Sequence, residues 1–147
     1  KFNAEGRTVH AIIASNDATA GGVVAALQAE KLAGKVAVSG QDAELQACQR
    51  IVEGTQAVTV YKPVKLLAEA AARVAGGLAR GQKPEEIIAS LGFRLHQIDN
   101  GTRKVPTILL EPVFVTKENM MSAVVADGWQ SLERVYANVP EKDRPGR

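Results

Sequence analysis

Short apolar runs alternate with stretches of helical spacing through the first half of the chain. Val9-His10-Ala11-Ile12-Ile13-Ala14 is rich in β-branched residues and ends at Ser15-Asn16-Asp17, which reads as a strand buried within a parallel sheet. Asp17 has the chemistry of a helix N-cap, and Val23, Val24, Leu27 and Lys31 keep helical spacing as far as Gly34. Gly21 and Gly22 are unfavourable inside a helix and point to a close backbone approach near its first turn. The pattern then repeats. Residues 35–39 form a second strand, Gly40-Gln41-Asp42 a turn, and residues 43–52 a helix whose Leu45, Cys48, Ile51 and Val52 share one face. Residues 57–61 form a third strand, stopped at Lys62-Pro63, where proline suits a helix start. Val64, Leu67, Ala71, Val74 and Leu78 follow at spacings of 3, 4, 3 and 4, the cleanest amphipathic helix in the chain. Strand and helix alternating three times is the signature of an α/β fold: a parallel sheet flanked by helices.

The second half changes character. Pro84-Glu85-Glu86 opens a short helix with acidic residues in its first turn. Residues 93–98 and 105–110 flank Asn100-Gly101, a strong hairpin signal. Val113-Phe114-Val115 makes one more short strand, and Thr116 caps a helix holding Met120, Met121, Val124 and Val125, with Trp129 and Leu132 extending its packing. From Ala137 onward, prolines, glycine and mixed charges read as a solvated tail.

Composition narrows the functional classes. With 18 basic and 16 acidic residues among 147, the net charge of +2 leaves no basic footprint for nucleic acid. The single Cys48 rules out an internal disulfide and reads as a small buried hydrophobe. With two histidines, His10 and His96, a His-rich metal site is not expected, nor is any cofactor. His10 reads as structural within its buried run and His96 as a hairpin surface residue. Apolar runs stop well short of the roughly 20 residues a membrane span needs. Because the chain opens on Lys1, a segment upstream is expected to be missing or removed. Glycine-rich phosphate loops and a nucleophile elbow are absent, and Ser15 has no histidine partner, so an α/β enzyme using Asp42 or Lys62 catalytically is a weak reading.

The residues that invite chemistry follow the strands. Asn16, Asp42 and Lys62 each lie just past a strand, separated by 42 − 16 = 26 and 62 − 42 = 20 residues, one βα unit apiece. Ligands of open parallel sheets bind beyond the carboxyl ends of the strands. A carboxylate accepts from vicinal hydroxyls, an amide donates and accepts, and an ammonium donates, a set suited to a polyhydroxylated ligand. Polar residues at these places also serve as plain helix caps, and position alone leaves both readings open.

Ala14-Ser15-Asn16-Asp17, Val38-Ser39-Gly40-Gln41-Asp42 and Thr59-Val60-Tyr61-Lys62-Pro63 together resemble the bacterial periplasmic xylose-binding proteins, and the likeness continues through Asn100-Gly101 and Glu111-Pro112-Val113 to about Trp129. The resemblance implies a two-lobe type 1 periplasmic binding fold. It implies that Asn16, Asp42 and Lys62 contact a pentose, D-xylose, in an inter-lobe cleft, and that an ABC transporter permease reads the loaded receptor outside the cytoplasm, in the periplasm. It also implies that residues 1–62 belong to the second lobe, 63–111 to the first and 112–136 to the second again, with 137–147 a tail. Neither lobe is then complete. The stripe from Val64 to Leu78 is expected to need cover from the missing N-terminal part of the receptor or from a second copy. The sugar-sensing domain of a transcriptional repressor shares the Asn16 strand end and is the alternative.

Overall fold

A computed structural model describes residues 5–146; residues 1–4 and 147, at the ends of the first and last expected segments, lie outside it. The chain divides into two compact units, one holding the residues up to Tyr61 and those from Val113 onward, the other Lys62–Pro112.

In the first unit, β1 (Ala11–Ile13), α1 (Asp17–Ala29), β2 (Ala37–Gln41), α2 (Leu45–Glu53) and β3 (Val58–Tyr61) alternate as the periodicity predicts. Strand β2 starts two residues later than expected and takes in Gly40-Gln41, so the turn begins at Asp42. The sheet order is β1-β2-β3-β6, where β6 is Val113–Val115, with β1, β2 and β3 parallel. The last strand, β6, runs antiparallel beside β3 and pairs Val113 with Tyr61.

Register puts Ile12, Val38, Gly40, Thr59, Tyr61 and Val115 on one face. There Ala20, Val24 and Leu27 of α1 pack on Val38, while Cys48, Ile51 and Val52 of α2 join Tyr61, Val115, Met120, Val124 and Val135 in the main core. The opposite face carries Ala11, Ile13, Val58, Val60 and Phe114. Ile13 is 92% exposed and Phe114 67% exposed. The reading of β1 as a fully buried strand is therefore corrected. Among the described residues, helices cover one face of the sheet and β1 is an edge strand, so its Ala11 and Ile13 face outward, and the preceding His10 is exposed as well. The expected single helix after Thr116 is instead a π-helical turn, Met121–Val125, followed by α5 (Leu132–Val135). Nor is the end of the chain wholly solvated. Val139 packs against the core, the Asn138 amide donates to Glu53 (2.7 Å), and the Arg144 guanidinium donates to the Val139 carbonyl (2.8 Å).

The second unit contains α3 (Val64–Ala79), α4 (Pro84–Ser90) and a hairpin of β4 (Leu95–Asp99) and β5 (Lys104–Ile108). The Asn100-Gly101 signal marks a four-residue turn. Asp99 pairs with Lys104, Gly101 adopts φ +87°, and Asn100 Oδ1 accepts from the amides of Thr102 and Arg103. Helix α3 buries Ala70 and Gly77, whereas Val64, Leu67 and Leu78 remain 42%, 55% and 48% exposed. Leu67, Ala71, Val74 and Leu78 line an open apolar groove of about 430 Å³ with Ile88 and Ile108.

Candidate functional site

Each of the three strand-end residues keeps the backbone position read from the sequence. Asn16 and Asp42 follow the neighbouring parallel strands β1 and β2 in the first unit; Lys62 follows β3 and is the first residue of the second unit. Asn16, with extended backbone, is the N-cap of α1: its Oδ1 accepts from the Thr19 amide at 2.8 Å. The cap assigned to Asp17 thus belongs one residue earlier. An amide that spends its oxygen on a cap keeps two N–H donors for a ligand. Lys62 is exposed and, with Pro63, Leu67 and Glu111, lines a hollow of about 170 Å³ within its own unit.

Asp42 occupies an unusual backbone. It and Ala43 have φ of 103° and 48°, the left-handed region that non-glycine residues adopt at about 1–3 kcal/mol each. The surrounding structure over-determines this turn. The Asp42 amide donates to the Val60 carbonyl at 2.8 Å. The Ala43 amide donates to Thr59 Oγ1 at 3.2 Å, and the Glu44 amide to Asp17 Oδ2 at 3.0 Å. On the other side the Ala43 carbonyl accepts from Trp129 Nε1 at 2.9 Å and Gln130 Nε2 at 3.4 Å. The Trp129 ring lies 5.7 Å from that of Tyr61, whose hydroxyl donates to Asp127.

Beneath the turn lies a polar cluster. Asp17 is 1% exposed, and its carboxylate accepts from the Glu44 amide, Thr59 Oγ1 (2.9 Å) and Gln56 Nε2 (3.0 Å). Arg50 ties the cluster together, donating through Nε to Gln56 Oε1 and through a terminal nitrogen to the Asp17 carbonyl, both at 2.9 Å. A Cβ on Gly21 would lie 3.2 Å from the same guanidinium, but one on Gly22 would meet nothing within 4 Å, so the glycine pair marks a side-chain contact at one position and not the expected close backbone approach. Sequence reasoning did not single out Thr59, Gln56, Arg50 or Trp129; the one local signal is Thr59 itself, a polar residue on the inward face of an otherwise apolar strand. Cys48 is buried, and burial, with Asp17 adding to it, pushes its thiol up to about 12. It is packing, not a nucleophile. Among the described residues no cluster of His, Cys, Asp and Glu suits a metal ion, and no helix is long and apolar enough to cross a membrane.

A family model described as a periplasmic binding protein domain matches residues 2–83. The chain belongs to the periplasmic binding protein family. It is 45% identical to the D-xylose-binding periplasmic protein of Haemophilus influenzae over 92% of this chain and 38% of that protein. To the protein of the same description from Escherichia coli it is 46% identical, over 87% of this chain and 36% of that one. Among solved structures, a carbohydrate transporter solute-binding protein from Chloroflexus aurantiacus, in complex with D-glucose, superposes with a TM-score of 0.72 at 35% identity. It covers 84% of this chain and 34% of its own. This periplasmic binding protein chain therefore spans little more than a third of the curated relatives it matches. The named relatives are substrate-binding receptors.

Proposed function

We propose that the chain is the C-terminal part of an extracytoplasmic solute receptor that binds a pentose, D-xylose, between two lobes and presents it to an ABC transporter permease. The observation that carries this reading is an amide, a carboxylate and an ammonium placed within three residues of the ends of three consecutive strands, in a chain 45% identical to a D-xylose-binding periplasmic protein. The Asp42 carboxylate accepts from adjacent sugar hydroxyls, the Asn16 amide donates from the nitrogen its cap leaves over, and Lys62 donates to a ring or hydroxyl oxygen. The bonds of Asp42 and Lys62 are charge-assisted, about twice as strong as a neutral one such as that of Asn16. No bond in the sugar is broken; the work done is binding and lobe closure. The receptor acts in the periplasm, needs no cofactor, and has no nucleic-acid partner. In this reading residues 1–62 and 112–136 belong to the second lobe and residues 63–111 to the first. The open sheet face and the α3 groove support a covering layer drawn from further receptor chain or from a second copy. The named relatives lend no support to the repressor reading.

Calorimetric titration of the intact receptor with D-xylose tests the site. Asp42→Ala and Lys62→Met are each expected to weaken binding by about 1.5–3 kcal/mol, the scale of a hydrogen bond involving a charged group. Unchanged affinity in both variants would remove these residues from the site.

A further inference from the structure

We propose that Asp17 is a positioning residue for sugar binding: its buried carboxylate, acting through Thr59 and the Glu44 amide, holds the Asp42–Ala43 turn in the conformation that offers the Asp42 carboxylate to the ligand. This rests on the reading of Asp42 as a sugar contact.

At 1% exposure Asp17 cannot itself touch a ligand. A carboxylate is retained in such a place only when its lone pairs are satisfied. Its three donors come from three segments: the turn after β2 (Glu44), the loop leading into β3 (Gln56), and β3 itself (Thr59). Two of these act on the turn. Thr59 passes its own hydrogen to Asp17 and uses the same oxygen to accept from the Ala43 amide, so the orientation of that hydroxyl is fixed by the carboxylate. The Glu44 amide is held directly. Ala43 and Glu44, immediately after Asp42, are thus pinned from below by one carboxylate. That is what a run of two left-handed non-glycine residues requires if it is to stay formed without a ligand. Gly40 belongs to the same device. A Cβ there would overlap Asp17 Oδ1 and stand 2.7 Å from Gln56 Nε2, so only glycine leaves room for the carboxylate beneath β2.

Asp17→Asn keeps the shape but sets an amide nitrogen against a donor, and Thr59→Val keeps the volume but deletes the relay. In D-xylose titrations of the intact receptor each is expected to raise the dissociation constant about tenfold or more, while Thr59→Ser, which keeps the hydroxyl, stays within about threefold. Adding Asp17→Asn to Asp42→Ala is expected to change affinity by less than about twofold, because the two act through one group. Amide hydrogen exchange gives a sugar-free readout: Asp17→Asn speeds exchange at Glu44, and Thr59→Val speeds it at Ala43. If Asp17→Asn does not fold, Thr59→Val and Thr59→Ser carry the test. A folded Asp17→Asn or Thr59→Val with unaltered D-xylose affinity and lowered melting temperature overturns the proposal, leaving a purely structural network. So does an equal loss in the Asp42→Ala background. Affinity unaltered by Asp42→Ala overturns the sugar-site reading beneath it, whereas exchange at Glu44 unaltered by Asp17→Asn overturns the positioning alone.

Discussion

Cys48 and Tyr61 show how far the core controls single groups. Burial pushes the Cys48 thiol from 9.0 up to about 12, and burial together with the bond to Asp127 lifts the Tyr61 hydroxyl from 10.0 to about 12. Both groups release a proton more easily from the unfolded chain. Their contribution to stability is whole below pH 9 and fades as pH rises from 9 through 12. Urea unfolding at pH 8, 9, 10 and 11 is expected to show stability falling from pH 9 to 11, with Cys48→Ala blunting the fall between 9 and 10. A profile flat from pH 9 to 11 would contradict this. At this scale the sequence was informative about Asn16, Asp42 and Lys62 as strand-end residues but assigned the cap to Asp17. Asn and Asp cap equally well, so adjacent candidates cannot be told apart locally. What draws Asp17 inward is Gln56 and Thr59, 39 and 42 residues away.

Elements were legible wherever one face is apolar. Helix α2 announces itself through Cys48, Ile51 and Val52, all buried, and the three βα repeats follow from their periodicity. The exposure of the α3 stripe was legible from the family likeness, and Val64, Leu67 and Leu78 are exposed; the outward face of β1 was not, because an apolar run states a need for cover without stating what supplies it. The packing of α3 on α4 depends instead on a small residue. A Cβ on Gly77 would stand 2.6 Å from Ile87 Cδ1, whereas one on Gly76 meets only the Arg80 guanidinium at 3.4 Å. Gly76→Ala is expected to stabilise by about 0.5–1 kcal/mol through helix propensity. Gly77→Ala, overpacked against a buried isoleucine, is expected to destabilise by about 1–3 kcal/mol. Urea unfolding of both checks this; equal stabilisation by the two would mean that α4 moves aside freely.

For the whole molecule, the exposed Ile13 and Phe114 on one unit and the groove along α3 on the other are apolar surfaces of the kind that marks association. The 147-residue chain by itself is expected to self-associate in sedimentation velocity as its concentration rises. A stable monomer with cooperative unfolding and tight D-xylose binding would show that the chain has rebuilt a complete pocket. The α/β class and the family were both legible, the latter from three strand-end motifs taken together. That one sheet face, with Ile13 and Phe114, lacks cover was not, since strand register and helix placement decide it, and neither is encoded in any one segment.

The pairing of Tyr61 with Val113 has a consequence for the order in which the chain folds. The first unit is interrupted in sequence by the whole of the second, and its main core draws on both sides of that insertion: Cys48, Ile51 and Tyr61 before it, Val115, Met120, Val124 and Val135 after it. During synthesis β3 must wait as an unpaired edge for some fifty residues of the inserted unit to emerge before β6 can seal it, and closing that loop carries an entropic penalty. Nascent chains arrested at Pro112 are therefore expected to be protease-sensitive in residues 45–61, with protection appearing once residue 136 has left the ribosome; protection already complete at Pro112 would mean that the first three strands close a core without the returning segment.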